Sequence, residues 1–157
     1  MDVTAQTLRL KRSDDDVQDA AFPVPIPAAG LEYSWRKSLR LIVVSAPDNE
    51  ISNLRFYSDG GSVGTGRRVL FNRDPAYTQA SAADEGTPIG ATDVSTIVQA
   101  SPEVIEPGVL CDSGDAYPLA EGAAGQQDYV ELQLEVGPTA TVGAGSAMTL
   151  RYRYNET

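Results

Sequence analysis

Gly61-Ser62-Val63-Gly64-Thr65-Gly66 has the glycine spacing of a phosphate-binding loop, and Arg67 and Arg68 follow it directly. A loop of that kind follows a strand and opens a helix. Its backbone amides take the phosphates, a lysine after the last glycine reaches the outer ones, and the next Ser or Thr holds magnesium. Here Arg67 stands in the lysine position and Arg68 in the hydroxyl position. Val69-Leu70-Phe71 comes next, which is a strand pattern. The stretch therefore reads as a hairpin loop between two strands, NLRFYSD (53–59) and RRVLFN (67–72).

Other chemistry is sparse. Histidine is absent, and with it the commonest general base and transition-metal ligand. Serine–histidine–aspartate, cysteine–histidine and zinc-hydrolase mechanisms are excluded. Cys111 is the single cysteine, which rules out an intrachain disulfide and a thiolate metal cluster. It reads as a small buried side chain of a chain made in a reducing cytosol. Asp14-Asp15-Asp16 and Asp112-Ser113-Gly114-Asp115 lack the spacing of a calcium loop, so they read as solvated charges and no metal is expected. Nothing among 22 acids singles out a carboxylate pair for glycoside hydrolysis. The expectation is a protein that is not an enzyme, with no catalytic residue, no cofactor and no small-molecule substrate. Two other classes stay open. One is a carbohydrate-binding or adhesin module that stacks sugar on Trp35 with Tyr57 or Tyr77. The other is a carboxylate-based glycoside hydrolase.

Charge is unevenly placed. The chain has 12 basic and 22 acidic residues, a net charge of −10. Every basic residue lies at or before Arg73 or at Arg151 and Arg153, so residues 74–150 are purely acidic. Such a surface repels phosphate, which argues against a nucleic-acid partner. No run of about 18 apolar residues exists to span a membrane, and no apolar secretory segment is visible at the start.

The elements that must position these residues are strands. In YVELQLEV (129–136), Val130, Leu132, Leu134 and Val136 alternate with Tyr129, Glu131, Gln133 and Glu135, which predicts one buried and one wet face. MTLRYRYNE (148–156) repeats the pattern. Antiparallel pairing of the two would set Glu131 and Glu135 against Arg151 and Arg153. SLRLIVVSA (38–46) is apolar on both faces and reads as a central strand. TLRLKR (7–12) adds a further short strand. VSTIVQAS (94–101) and EVIEPGVL (103–110), broken by Pro102 and Pro107, read as edge strands or irregular segments. Residues 78–93 and 112–128 read as loops, with a short helical turn at 79–85. The 137–147 connection is long for a hairpin, so part of it extends a strand or crosses between sheets. Its 157 residues suit one domain. The pattern predicts an all-β fold, an antiparallel β-sandwich or jelly-roll-like barrel with long loops, over residues 23–157, preceded by an extended N-terminal arm over 1–22.

The order of segments resembles small β-structured virion proteins of tailed bacteriophages. It runs from a proline-rich stretch before YSWRKSLRL through NLRFYSDG, YVELQLEV and TATVGAG to a terminal TLRYRYNET. The likeness covers about residue 20 to the end and rests on sandwich patterns, so no functional residue is carried over. It implies a capsid decoration or cement protein that binds the major capsid protein, with a tail or head–tail protein as the alternative. It also implies residence in the virion after synthesis in the host cytoplasm, and self-association, with a trimer favoured. Residues 1–30 are the candidate arm for pairing with a neighbour's strands. Pro23, Pro25, Pro27, Trp35, Arg67 and Arg68 are the candidate contact residues.

Overall fold

A computed structural model describes Leu8, Leu10, Arg12, residues 23–41, residues 48–112, Gly114 and residues 127–157. They contain β1 (Glu32–Tyr33), β2 (Lys37–Leu39), β3 (Ile51–Ser58), β4 (Arg67–Asp74), β5 (Thr92–Asp93), β6 (Glu103–Cys111), β7 (Tyr129–Val136) and β8 (Leu150–Glu156). Two 3-10 turns, Ala82–Gly86 and Val94–Thr96, join them. β7 lies inside the first sheet, between β4 and the consecutive short strands β1 and β2, and β5 lies beyond β4. In the second sheet β3 lies between β6 and β8. All of these strand pairs are antiparallel. The two sheets pack against each other as a β-sandwich and do not close into a barrel.

Period-two patterning builds the core. Val130 and Leu132 of β7, Val69 and Phe71 of β4, Leu54 and Phe56 of β3, and Ile105 and Leu110 of β6 fill the space between the sheets. The rings of Phe56 and Phe71, one from each sheet, stack with centroids 5.6 Å apart. Ile51 joins Leu54 and Phe56 inside despite the odd step from 51 to 54. Asn53 allows this, because it sits in left-handed backbone (φ 56°) where the register shifts. Leu8 and Leu10 pack against the same core. The rest of the strand expected over 7–12, most of the arm expected over 1–22, residues 42–47 and most of the loop expected over 112–128 lie outside the described residues.

Two expectations are overturned. β7 and β8 belong to different sheets, so Glu131 and Glu135 do not face Arg151 and Arg153. Residues 137–149 cross between the sheets instead. The glycine-rich stretch is not a hairpin loop either, because β3 and β4 also lie in different sheets. Of the strand expected to be central over 38–46, residues 38 and 39 lie in β2, which pairs with β7, and residues 42–46 lie outside the described residues. Residues 94–101 form a 3-10 turn and isolated bridges, and β6, which bears Pro107, is an edge strand of its sheet among the described residues.

The two crossings are bonded to each other at one end of the sandwich. Gly137 N donates to Gly66 O at 2.8 Å, and Ser146 N to Val63 O at 3.3 Å. Asp59 N donates to Thr149 O, and Thr149 N to the Asp59 carboxylate, both at 3.0 Å. The Arg67 guanidinium donates to the carbonyls of Thr141 and, at 2.8 Å, Gly143. The glycines permit this approach. A Cβ on Gly66 would strike Ala140 N, and one on Gly145 would lie 2.6 Å from Val63 O.

Candidate functional site

The polar face of β7 was expected in water, and the structure buries it. Glu131 and Gln133 are 0% exposed and Glu135 is 8% exposed. What covers them is the segment between β4 and β5, whose 3-10 turn is set by a capping box. The Ser81 hydroxyl accepts from Ala83 N at 3.3 Å, and the Asp84 carboxylate accepts from Ser81 N at 3.1 Å. Gln133 fastens this segment to the sheet. Its Nε2 lies 2.9 Å from Asp84 O and 3.1 Å from Thr87 O, and its Oε1 accepts from Ile89 N at 2.9 Å.

A third segment enters between β1 and β2. Ser34 keeps the ladder with β7 by two routes. Its N donates to Leu134 O, and its hydroxyl oxygen accepts from Leu134 N, both at 2.9 Å. Arg36 then reaches Asp84 at 2.9 Å and Glu131 at 3.3 Å. Asn72 Nδ2 donates to the other oxygen of Glu131 at 2.9 Å. Burial pulls the Arg36 pKa down, but its hydrogen bond and attraction to Asp84, with Glu131 beyond, outweigh that and hold it above the ordinary value. Trp35 is half-buried and donates its indole N–H to Glu85 at 3.0 Å. Arg12 bonds Glu32 and lies 3.5 Å from Glu85.

Arg68 and Glu135 stand opposite each other on β4 and β7. The guanidinium meets the carboxylate in a two-pronged contact, 2.6 and 2.9 Å, which holds the Arg68 pKa above its ordinary value. Beside them the Tyr33 phenol is pushed up, first by burial and then by the Glu135 charge, with Arg68 acting the other way.

Each of Asp84, Glu131 and Glu135 thus meets a guanidinium, and Asn72 and Gln133 meet charged or backbone partners. Such a cluster fixes a loop and the segment between β1 and β2 to a sheet. Among the described residues, no group of three or more Cys, Asp or Glu side chains could hold a metal ion.

The structure does not bring the six predicted contact residues together. Arg67 caps carbonyls at the crossing loops, while Arg68 and Trp35 border the buried cluster. Pro23 and Pro25 are exposed and Pro27 is half-buried, on a stretch outside any strand. Of the aromatics considered for sugar stacking, Tyr57 is buried, and Tyr77 is half exposed with its ring 5.8 Å from that of Tyr129. Sequence reading missed Arg36, Asp84, Glu131 and Gln133 as one unit. The signal for it was the Ser81-x-x-Asp84 cap, together with a polar strand face too rich in acid to be buried without arginine.

The fold and cluster define an all-β sandwich with a polar, loop-covered sheet face. Compared with known proteins, the chain matches no family model, no curated protein and no solved structure.

Proposed function

We propose that this chain is a non-enzymatic structural protein of a virion that decorates the capsid by binding the major capsid protein and stabilising the particle. The observation that carries the reading is where the ionisable side chains go. Arg36 joins Asp84 of the covering turn to Glu131 of the sheet face, and Arg68 and Glu135 tie neighbouring strands on that face. A sandwich braced in this way suits a body that is held against neighbours. The resemblance of its segments to phage virion proteins supports the choice of partner, and self-association as a trimer belongs to the same proposal. The contact surface proposed is the stretch from Pro23 to Leu31, where proline fixes an extended backbone. Ile26 and Leu31 there are 36% and 48% exposed.

Co-sedimentation with intact phage capsids that lack a decoration protein tests this, with light scattering for the oligomeric state. Retention on the particles is expected, and I26D/L31D should lose it. A monomer that stays in the supernatant overturns the reading.

A further inference from the structure

Arg12, Arg36, Arg68 and Arg73 each meet a carboxylate. Arg55, Arg151 and Arg153 differ. Among the described residues, none of these three forms an ion pair. The acids around them are turned elsewhere. The Asp59 carboxylate feels Arg151 but accepts from Gly61 N and Thr149 N. Glu106 of the neighbouring β6 accepts from Gly108 N at 2.7 Å. Glu156 stands at the far end of β8, opposite Ile51. In a chain with 22 acidic residues against 12 basic ones, three arginines together without a carboxylate call for a cause.

Arg55 of β3 stands directly opposite Arg153 of β8, and Arg151 lies two residues along β8 on the same face. That face is the outer one, since Phe56 and Tyr152, the adjoining residues on each strand, meet ring to ring inside at 5.6 Å. Like charges directly opposite each other destabilise a ladder. Here a backbone irregularity creates the pair. The register that starts at Ile51–Glu156 and Ser52–Asn155 would, if continued, set Arg55 opposite Tyr152. It shifts between Ser52 and Arg55, where Asn53 holds left-handed backbone (φ 56°). Asn53 Oδ1 then accepts from Arg55 Nη2 at 2.7 Å and steadies the guanidinium. Arg151 and Arg153 are exposed, and Arg55 is half-buried.

We propose that Arg55, Arg151 and Arg153 form a binding site for a compact, multiply charged oxyanion of the phosphate or sulfate class. Directly opposed residues have Cβ atoms about 5 Å apart, and residues two apart on a strand lie about 7 Å apart, so three arginine side chains can converge on one group. Each guanidinium presents a planar fork of N–H donors that matches two such oxygens. A tetrahedral oxyanion offers three or four oxygens to the three forks, whereas a carboxylate offers two. With the anion in place, the repulsion between Arg55 and Arg153 gives way to attraction toward a common partner. The net charge of −10 sets the ligand's size. An extended polyanion such as a nucleic acid or an anionic membrane would meet the acidic remainder of the surface, while a compact anion stays within the patch. The inference rests on these three arginines alone and stands apart from the virion reading.

Titration of the whole protein with pyrophosphate at low salt, followed through the side-chain Nε–H resonances of its arginines, tests it. The resonances of Arg55, Arg151 and Arg153 should move together to saturation, with those of Arg36 and Arg68 still. Sulfate should move the same three, and malonate, a dicarboxylate, should bind about tenfold more weakly than pyrophosphate. R153Q changes an exposed side chain, so folding should survive, and it should lose about tenfold or more in affinity for pyrophosphate. R151Q should do the same from the neighbouring position. Five results overturn the proposal. They are no movement of the three resonances at about 10 mM pyrophosphate, equal movement of Arg36 and Arg68, malonate binding as well as pyrophosphate, undiminished binding by both variants, or tighter binding of single-stranded DNA than of pyrophosphate.

Discussion

The side-chain amide of Gln133 lies 3.0 Å from the carbonyl oxygen of Ser34, joining the middle of β7 to the chain between β1 and β2. The same side chain bonds Asp84, Thr87 and Ile89. One buried amide thus ties together segments that lie far apart in sequence. Gln133→Leu keeps the volume and leaves those backbone groups without their partner. A loss of about 2–4 kcal/mol is expected in denaturant unfolding, since several buried polar groups are orphaned together. Amide exchange should rise over residues 81–89 and stay unchanged in β3. Uniform loosening of both regions would contradict this role.

The sandwich was legible because period-two alternation reports directly on strands with two unlike faces. It does not report what covers the polar face. Tyr129, Glu131, Gln133 and Glu135 read as wet because polarity is all that the pattern carries. Burial came from residues 75–91, which have no periodicity of their own. Pairing failed for a related reason. Complementary charge matched Glu135 to Arg151 or Arg153, but Arg68 offers the same chemistry and sits in the right sheet. Loop length was the better guide. The long 137–149 connection crosses between sheets, as its glycines and proline allow.

Arg36 bridges Asp84 and Glu131, one carried on the covering turn and the other on the sheet. Arg36→Met leaves two buried carboxylates short of their cation. The expected loss is about 3–5 kcal/mol, the usual penalty for breaking a buried pair from one side. Adding Glu131→Gln to that variant should recover part of the loss, because an amide is cheaper to bury unpaired than a charge. Additive losses in the double-mutant cycle would show that Arg36 and Glu131 are not coupled.

Gly66 and Gly30 both have positive φ, 68° and 79°, but their surroundings differ. A Cβ at Gly30 meets nothing within 4 Å, whereas one at Gly66 would sit 2.7 Å from the Thr139 carbonyl carbon. Gly30→Ala carries backbone strain alone, about 1 kcal/mol. Gly66→Ala must also push the two crossing loops apart, so its loss should exceed that by about 1–3 kcal/mol. Thermal unfolding of the two variants side by side checks the order. Equal losses would mean that the 59–66 and 137–147 loops are not packed tightly together.

Asp59 sits at the start of the same junction, and its carboxylate accepts from Gly61 N at 2.9 Å and Thr149 N at 3.0 Å. The Gly61 bond first, and then the Thr149 bond, hold its pKa below the ordinary 3.8. The fold thus favours the charged form. Its contribution is fully present above the unfolded value and is lost as the pH falls through the lower folded value. Acidification below 3.8 should therefore loosen the junction between Asp59 and Thr149, and Asp59→Asn should lack that step. The Gly61 amide resonance reports the event. Its titration midpoint should fall below 3.8, and a midpoint at or above that value would show that these bonds do not form in solution.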